Sequence, residues 1–264
     1  MKLTILGSGT SHGVPMIGCS CPTCRSADPR DNRTNASLLI ESRGRNILID
    51  CGRDFRQQAL RHQLERVDCI LLTHTHFDHV AGIDDLRVFS RHGRPIPLFG
   101  SPAHLAYLKT YIYHYLFDPT IQRGGGVTEL DLVAVGERFL LEGFLFETLP
   151  AWHGEIEVFG YKFGGCAYLS DVSRVPKATL QKLYNLEVLV LGALRHTPHP
   201  THFTLSQALE LGSEVKPRRL YFTHLCHDVL HEEVEKAFGQ RGSPYFTPLD
   251  AHLAYDGLEV VLER

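Results

Sequence analysis

Residues of metal-ligand type are concentrated directly after one short apolar segment, and no other feature of the chain constrains its fold and chemistry as strongly. Cys69–Leu72 has the length and composition of a buried strand, and His74, His76, Asp78 and His79 follow within the next seven residues. Because side chains alternate along an extended backbone, His74 and His76 are expected on the same side. Asp78 and His79 follow the turn into a predicted helix and face a different point. One rigid strand end can therefore hold ligands for two neighbouring metal ions.

Three later strand-like segments also end in residues of metal-ligand type. His153, Asp171 and His224 each lie just beyond an apolar segment. Taken singly, a histidine after a strand is more often a surface residue. Repetition of the same arrangement favours one shared metal site. The chain holds 16 histidines, and histidine is the commonest metal ligand among the side chains.

Strand-like and helix-like segments alternate along the chain, which predicts a layered α/β architecture with sheets at the centre. Apolar periodicity predicts several helices, among them Val80–His92 and Pro102–Leu116. Ser101 is the predicted N-cap of the second of these helices, with Pro102 in the first turn. No segment has the composition of a linker between independent domains, so a single domain over residues 1–264 is expected.

The ordered set of ligand residues resembles that of the metallo-β-lactamase superfamily, and the resemblance spans nearly the whole chain. It implies a four-layer αββα sandwich of the α/β class, with two metals at one edge of the two sheets. The residues that carry it are His74-x-His76-x-Asp78-His79, then His153, Asp171 and His224. The resemblance implies that one metal is held by His74, His76 and His153. It implies that the other is held by Asp78, His79 and His224, with Asp171 as a bridge.

This metal arrangement suits phosphodiester hydrolysis. Two cations about 3.5–4 Å apart activate a bridging hydroxide and stabilise an in-line displacement at phosphorus. Mixed nitrogen and oxygen ligands accept zinc, manganese or iron. The segment Thr201–Thr204 resembles the family segment that carries a non-ligand histidine near the phosphate. His202 is therefore expected to protonate the leaving oxygen or stabilise the charged phosphorane, and Asp78 is a second candidate for proton transfer.

Three cysteines form a separate cluster near the N-terminus. Cys19, Cys21 and Cys24 follow the pattern C-x-C-x-x-C, which suits tetrahedral zinc. Three thiolates need a fourth ligand. His227 is the leading candidate, because a short turn after His224 can direct it away from the catalytic pair. Cys226 is the alternative.

The cysteine cluster narrows the family resemblance to the PhnP branch of phosphodiesterases. That branch has a Cys-rich insert after the first strand, here about residues 18–35, and a structural zinc held by three cysteines and a histidine. Carried over to this chain, the ligands are Cys19, Cys21, Cys24 and His227. The zinc would tie the N-terminal loop to the last catalytic segment. A homodimer is also implied by the resemblance alone.

Composition excludes several classes of function. The 27 basic and 30 acidic residues give a net charge of −3, which argues against a large nucleic-acid footprint. No apolar run approaches the roughly 20 residues of a membrane helix. The N-terminus reaches Gly and Ser too early for a secretory signal, so a cytoplasmic protein with reduced cysteines is expected.

The sequence therefore predicts a dinuclear metal-dependent phosphodiesterase that acts on a small or cyclic phosphodiester, with one further structural zinc. A ribonuclease Z-like tRNA 3′ processing nuclease shares the ligand set and is one alternative. A PqqB-like binding protein without hydrolytic activity is another. A lactonase, a glyoxalase II-like thioesterase or a true β-lactamase is a third, which assays of esters against phosphodiesters would separate.

Overall fold

A computed structural model describes residues 1–90, 94–122, 126–141 and 143–262. The chain divides into two compact units. The first unit comprises residues 1–6, 37–136 and 257–264, and the second comprises residues 7–36 and 137–256. The expectation of a single domain over 1–264 stays a prediction. No helix among the described residues is long and apolar enough to cross a bilayer.

The first unit is built on a seven-stranded mixed sheet with the order β14-β1-β2-β3-β4-β5-β6. Its strands are β1 (Lys2–Gly7), β2 (Ser37–Ser42), β3 (Arg45–Ile49), β4 (Cys69–Leu71), β5 (Ile96–Gly100), β6 (Leu130–Ala134) and β14 (Glu259–Val261). β2 and β3 form an antiparallel hairpin, whereas β3, β4, β5 and β6 run parallel. The carboxyl ends of these parallel strands therefore lie along one edge of the sheet, where Asp50 follows β3 and the segment 73–79 follows β4.

The helices of the first unit are shorter and less regular than the sequence predicts. They are α1 (Phe55–Arg61), α2 (Phe77–Val80), a 3-10 helix (Ala81–Val88), α3 (Pro102–Tyr107), a π-helix (Leu108–Ile112) and α4 (His114–Phe117). The helix predicted over Val80–His92 is present as the 3-10 helix Ala81–Val88, which is followed by a turn at Phe89 and Ser90, and His92 lies outside the described residues. A Cβ at Gly82 would lie 2.1 Å from Gly52 O, so the backbone of this segment packs closely against residue 52. Apolar periodicity does not reveal such a contact.

The predicted helix over Pro102–Leu116 starts as expected but is not one regular α-helix. Ser101 caps α3 by accepting a hydrogen bond from His104 N at 3.2 Å, which confirms the predicted cap. The helix then widens into the π-turn and restarts as α4. Tyr113, at the break, donates its hydroxyl to Val80 O at 2.9 Å, and this tertiary hydrogen bond accompanies the change of helical pitch.

The second unit is built on another seven-stranded sheet, with the order β13-β12-β11-β10-β9-β8-β7. Its strands are β7 (Arg138–Leu141), β8 (Phe144–His153), β9 (Ile156–Phe163), β10 (Cys166–Leu169), β11 (Val188–Gly192), β12 (Arg219–Thr223) and β13 (Ala251–Leu253). β10 to β13 are parallel, and β7, β8, β9 and β10 pair antiparallel in turn. The carboxyl ends of β8, β10 and β12 consequently lie at the same edge of the sheet, where His153, Asp171 and His224 are found.

Helices α5 (Lys177–Lys182), α6 (Leu205–Val215) and α7 (His231–Gly239) belong to the second unit. Two short 3-10 turns, Thr23–Arg25 and Pro29–Asp31, lie in its N-terminal loop. α6 begins with a capping box between Thr204 and Gln207. Each unit has its own apolar core, and that of the second unit joins α6 and α7 to the strands β8 to β13.

Candidate metal centres

The first unit gathers four of the predicted ligands at the carboxyl end of β4. The ring centroid of His74 lies 4.5 Å from that of His76 and 4.2 Å from that of His79. The Asp78 carboxylate reaches within 3.3 Å of His79 Nε2. His74 and His79 are fully buried, whereas His76 is exposed. A strand end followed at once by α2 thus brings three imidazoles and one carboxylate together.

Asp50 is a buried carboxylate that the sequence analysis did not single out. Its Oδ2 lies 2.7 Å from His79 Nδ1 and accepts a 2.7 Å hydrogen bond from Thr73 Oγ1, and its Oδ1 accepts one of 2.8 Å from Thr73 N. Thr73 Oγ1 lies 3.0 Å from His74 Nδ1. Burial raises the pKa of Asp50, and the contacts with His79 and Thr73 oppose that shift. The sequence pattern that could have identified Asp50 is its position after an apolar strand, which is also the pattern that identified Asp171.

His104 is a second residue that the motif analysis missed. It lies in the first turn of α3, and its Nδ1 is 3.2 Å from Thr75 Oγ1. Its ring centroid lies 6.3 Å from that of His74. His104 therefore borders the ligand cluster of the first unit, from a helix that no sequence motif connects with it.

The second unit brings the other predicted ligands together around Asp171. Asp171 Oδ1 lies 3.1 Å from His224 Nε2 and 3.6 Å from His202 Nδ1. One ligand atom from each of His153, Asp171 and His202 lies within 4.8 Å of the others. His153, Asp171 and His224 are buried, at most 5% exposed. This cluster has the composition of a divalent metal site with one additional imidazole.

Backbone geometry explains how these side chains are placed. His153 Nδ1 lies 2.7 Å from Thr201 O, which fixes the tautomer with hydrogen on Nδ1 and makes Nε2 the nitrogen with the lone pair. Gly154 has φ +61°, and a Cβ there would lie 2.8 Å from Thr201 Cγ2. His224 also has positive φ, +61°, which is uncommon for residues other than glycine. His224 is thus held in a tight turn directly after β12.

His202 lies among the other imidazoles of the second unit. Its ring stacks on that of His224, with centroids 4.8 Å apart, and meets the ring of His153 edge-on at 4.5 Å. His199 lies on the same loop, with its centroid 5.1 Å from His202. Burial lowers the pKa of His202 to about 3, although the charge of Asp171 opposes the shift. The segment before α6 therefore places a third histidine beside the carboxylate.

The residues present fit divalent metal ions. Imidazole nitrogens and carboxylate oxygens are ligands that zinc, manganese and iron all accept. Metal-binding histidines almost always donate their other ring N–H to a carboxylate or carbonyl, as His79 does to Asp50 and His153 does to Thr201 O. Among the described residues, the buried Ser170 Oγ and Thr223 Oγ1 have no hydrogen-bond partner. These two hydroxyls directly precede Asp171 and His224, so a polar occupant fits this edge.

The cysteine cluster forms a second, chemically different centre within the second unit. The Sγ atoms of Cys19, Cys21 and Cys24 and one nitrogen of His227 all lie within 4.8 Å of one another. His227 Nδ1 is 3.3 Å from Cys19 Sγ and 3.4 Å from Cys21 Sγ. Three sulfurs and one nitrogen are the ligand set of a structural zinc site. The structure therefore places His227, the fourth ligand that the sequence favoured, beside the three cysteines, and Cys226 is not part of this group.

The backbone around these thiols stabilises negative charge on sulfur. The amide of Cys24 lies 3.4 Å from Cys21 Sγ, and that of Met16 lies 3.3 Å from Cys24 Sγ. Burial acts to raise the pKa of Cys21, but the hydrogen bonds from the Cys24 amide, His227 and Cys19 lower it to about 6. Burial raises the pKa of Cys24 to about 11. Zinc binds the thiolate form, so a loop that already favours one thiolate suits the metal.

Comparisons with known proteins agree with this geometry. A model of the beta-lactamase superfamily domain (Lactamase_B_2) matches residues 45–225. A solved structure described as a new diphosphatase from the PhnP family is 38% identical, with a TM-score of 0.87, and the match covers 98% of this chain and 96% of that one. The similarity to this structure confirms the predicted αββα fold class.

Curated relatives match over less of their own length. An octanoyltransferase from Porphyromonas gingivalis is 36% identical over all of this chain and 52% of its own length. A ribonuclease Z from Bradyrhizobium diazoefficiens is 32% identical over 51% of this chain and 46% of its own length. The chain thus spans about half the length of these relatives. By the family model and the solved relative together, the chain belongs to the metallo-β-lactamase superfamily of metal-dependent hydrolases, and within that superfamily it is a PhnP-like protein.

Proposed function

We propose that this protein is a dinuclear metal-dependent hydrolase that cleaves a small or cyclic phosphodiester. The observation that carries the proposal is the cluster around Asp171, whose carboxylate lies 3.1 Å from His224 Nε2 and 3.6 Å from His202 Nδ1. Such a cluster combines residues that bind a metal with a histidine beside them that is available for proton transfer. The similarity to a PhnP-family diphosphatase supports chemistry at phosphorus.

The ligand assignment follows the family resemblance. His74, His76 and His153 would hold one metal. Asp78, His79 and His224 would hold the other, with Asp171 shared between the two. When bound, the two cations supply an activated water and neutralise charge on the phosphoryl oxygens. Zinc, manganese and iron all suit these ligands.

The side chains of this chain have separate tasks in the proposed reaction. His202 would donate a proton to the leaving oxygen, because expulsion of an alkoxide without a proton is costly. Burial keeps this imidazole neutral before substrate binds, so it would take up the proton when the negatively charged phosphate binds beside it. Asp171 Oδ1 lies 3.6 Å from His202 Nδ1, where its charge favours the protonated ring. The His153 and His224 rings pack against His202 and orient it. Asp78 is the second candidate for moving a proton.

The test is a substrate panel measured on the full chain reconstituted with Zn²⁺ and, separately, with Mn²⁺. It contains linear and cyclic phosphodiesters, including bis(p-nitrophenyl) phosphate. It also contains diphosphate compounds, because the PhnP-family relative is described as a diphosphatase. We expect turnover of at least one phosphodiester. If fully metallated protein turns over no phosphodiester, the proposal is refuted. If it turns over no compound of the panel, the PqqB-like binding protein is favoured.

Two variants separate proton transfer from metal binding. His202→Ala should lower kcat by about 10²–10⁴-fold, the usual contribution of a positioned acid, while the metal content stays unchanged. Asp78→Ala should lower both activity and metal content. His114→Ala is the matched control, because His114 is exposed on α4. Wild-type kinetics in His202→Ala would show that the proton comes from another group.

Other hydrolases of the superfamily are distinguished by the same assay. Cleavage of precursor tRNA with a steep salt dependence would favour the ribonuclease Z-like function, although a net charge of −3 gives little support to tRNA binding. Cleavage of carboxylic esters or thioesters, including an octanoyl ester, would favour a lactonase or thioesterase. The homodimer that the resemblance implies is tested separately by light scattering.

A further inference from the structure

Arg33 is a wholly buried arginine in the loop that carries the cysteine cluster. Its side chain is 0% exposed, and it makes four hydrogen bonds within the second unit. Nε donates to Arg30 O at 3.2 Å, and Nη2 donates to Asp31 Oδ1 at 2.9 Å. Nη1 donates to Cys226 O at 3.1 Å, and Nη2 also donates to Val229 O at 2.8 Å. An arginine is rarely buried without a specific role for its guanidinium.

The two carbonyls that Arg33 holds across the loop flank His227. Cys226 directly precedes this histidine, and Val229 follows it by two residues. A planar guanidinium with several donors in fixed directions can fix both carbonyls at once. The turn that presents His227 Nδ1 to the cysteine sulfurs is therefore attached to the cysteine loop at a second point, independent of the metal ligands.

The same turn continues from His224. The intervening Leu225 donates its N–H to Ser8 O at 2.9 Å and accepts from Thr10 N at 3.1 Å, and Cys226 N donates to Leu194 O at 2.8 Å. Backbone hydrogen bonds thus fix the chain from His224 to Cys226, whose carbonyl is the first that Arg33 contacts. A displacement of the turn at Cys226 would therefore act on His224 as well as on His227.

Asp31 completes the arrangement by neutralising the buried guanidinium. It is 2% exposed, and its Oδ1 also accepts from His231 N at 2.9 Å. His231 is the first residue of α7, so the carboxylate ties the start of that helix to the same point. Arg33 and Asp31 together connect the cysteine loop, the turn 226–229 and α7.

We propose that Arg33 is a positioning residue that preorganises the Cys19–Cys21–Cys24–His227 site and, through the turn 226–229, sets the position of His224. The activity part of this proposal rests on the proposed function, whereas the metal-affinity part does not. Residues that orient metal ligands typically contribute 10–100-fold in affinity or activity. The proposal therefore predicts a change in metal binding at a site that Arg33 does not ligate.

The experiment uses the full chain with Arg33→Lys. Lysine keeps the charge that pairs with Asp31, but its single nitrogen cannot occupy the positions of both Nη1 and Nη2. Co²⁺ is the probe, because thiolate-to-cobalt charge-transfer absorption reports on the cysteine site alone. We expect Arg33→Lys to weaken Co²⁺ binding at that site by about 10–100-fold in competition with a chelator. Arg30→Lys is the matched control, since Arg30 lies on the same loop, its side chain is half-exposed, and it pairs with Asp28.

The outcomes are distinct. Unchanged cobalt affinity in Arg33→Lys would overturn the proposal, and so would an equal loss in Arg30→Lys. Failure of Arg33→Lys to fold even in excess Co²⁺ would also overturn it, because Arg33 would then be a general stability residue. With bis(p-nitrophenyl) phosphate as substrate, we expect kcat to fall by about tenfold or more. A wild-type protein inactive toward every phosphodiester would refute the proposed function, and the cobalt result would still decide the role of Arg33.

Discussion

Replacing Asp50 by Asn tests whether the carboxylate behind the ligands determines metal binding in the first unit. Asp50 Oδ2 accepts from Thr73 Oγ1 at 2.7 Å and lies 2.7 Å from His79 Nδ1. Asparagine has nearly the same shape, but its amide nitrogen is a donor only. With the Asn oxygen kept on Thr73 N, the amide nitrogen faces His79 Nδ1. His79 must then accept at Nδ1 and carry its hydrogen on Nε2, the nitrogen proposed to bind the metal.

The size of the effect follows from this tautomer change. Loss of a residue that orients a metal ligand typically costs 10–100-fold in metal affinity or activity, which is about 1.4–2.8 kcal/mol at 1.4 kcal/mol per tenfold change. Asp50 is also connected to a second proposed ligand, because Thr73 Oγ1, which donates to Asp50, lies 3.0 Å from His74 Nδ1. We expect a loss toward the upper end of this range.

The assay measures metal content after dialysis against a weak chelator, together with kcat/KM on a phosphodiester. Asp68→Asn is the matched control, because Asp68 precedes β4 at the opposite end of the strand and pairs with Arg45 and Arg66. We expect the control to keep wild-type metal content. Asp50→Asn with metal content and kcat/KM within about twofold of wild type, well inside the expected 10–100-fold, would refute the reasoning.

Three further predictions concern the second unit. Cys21→Ser should lower Tm while changing kcat little, because a structural zinc contributes to folding. The difference in Tm between variant and wild type should vanish once zinc is removed from both proteins. Gly192→Ala should fold poorly or lose metal at Asp171, because the added Cβ would lie 1.4 Å from Ser170 O; urea unfolding and metal content measure this. Burial, with the charge of Arg30 as the next cause, lowers the pKa of His231 to about 4. The neutral form is favoured in the folded state, so stability should be complete above pH 6.5 and fall by at most roughly 3 kcal/mol toward pH 4. In His231→Gln this slope should flatten, and an unchanged slope would contradict the assignment.

The sequence predicted the parts of the fold that depend on local pattern. β4 and β10 are short apolar runs with a polar residue at the carboxyl end, and this pattern alone located His74 and Asp171 at strand ends. The cap of α3 was also local, because Ser101 and His104 are three residues apart. Helix continuity was not predictable in the same way. The break near Tyr113 accompanies a hydrogen bond to Val80, 33 residues away, and no periodicity within the helix encodes that contact.

The same distinction explains which site residues were missed. A metal ligand can be recognised from its residue type and its position after a strand, but Asp50 and Arg33 act on partners 29 and 193 residues away. Physical chemistry still provides a criterion. An aspartate directly after a buried parallel strand lies at a buried sheet edge, where an unpaired carboxylate costs several kcal/mol. Such an aspartate must therefore have donors around it, and in a histidine-rich chain the nearest donors are the imidazoles at the neighbouring strand end. Applied to every strand end, this criterion selects Asp50 as well as Asp171, and it assigns the first a role in orienting ligands because its oxygens are already taken by Thr73 and His79.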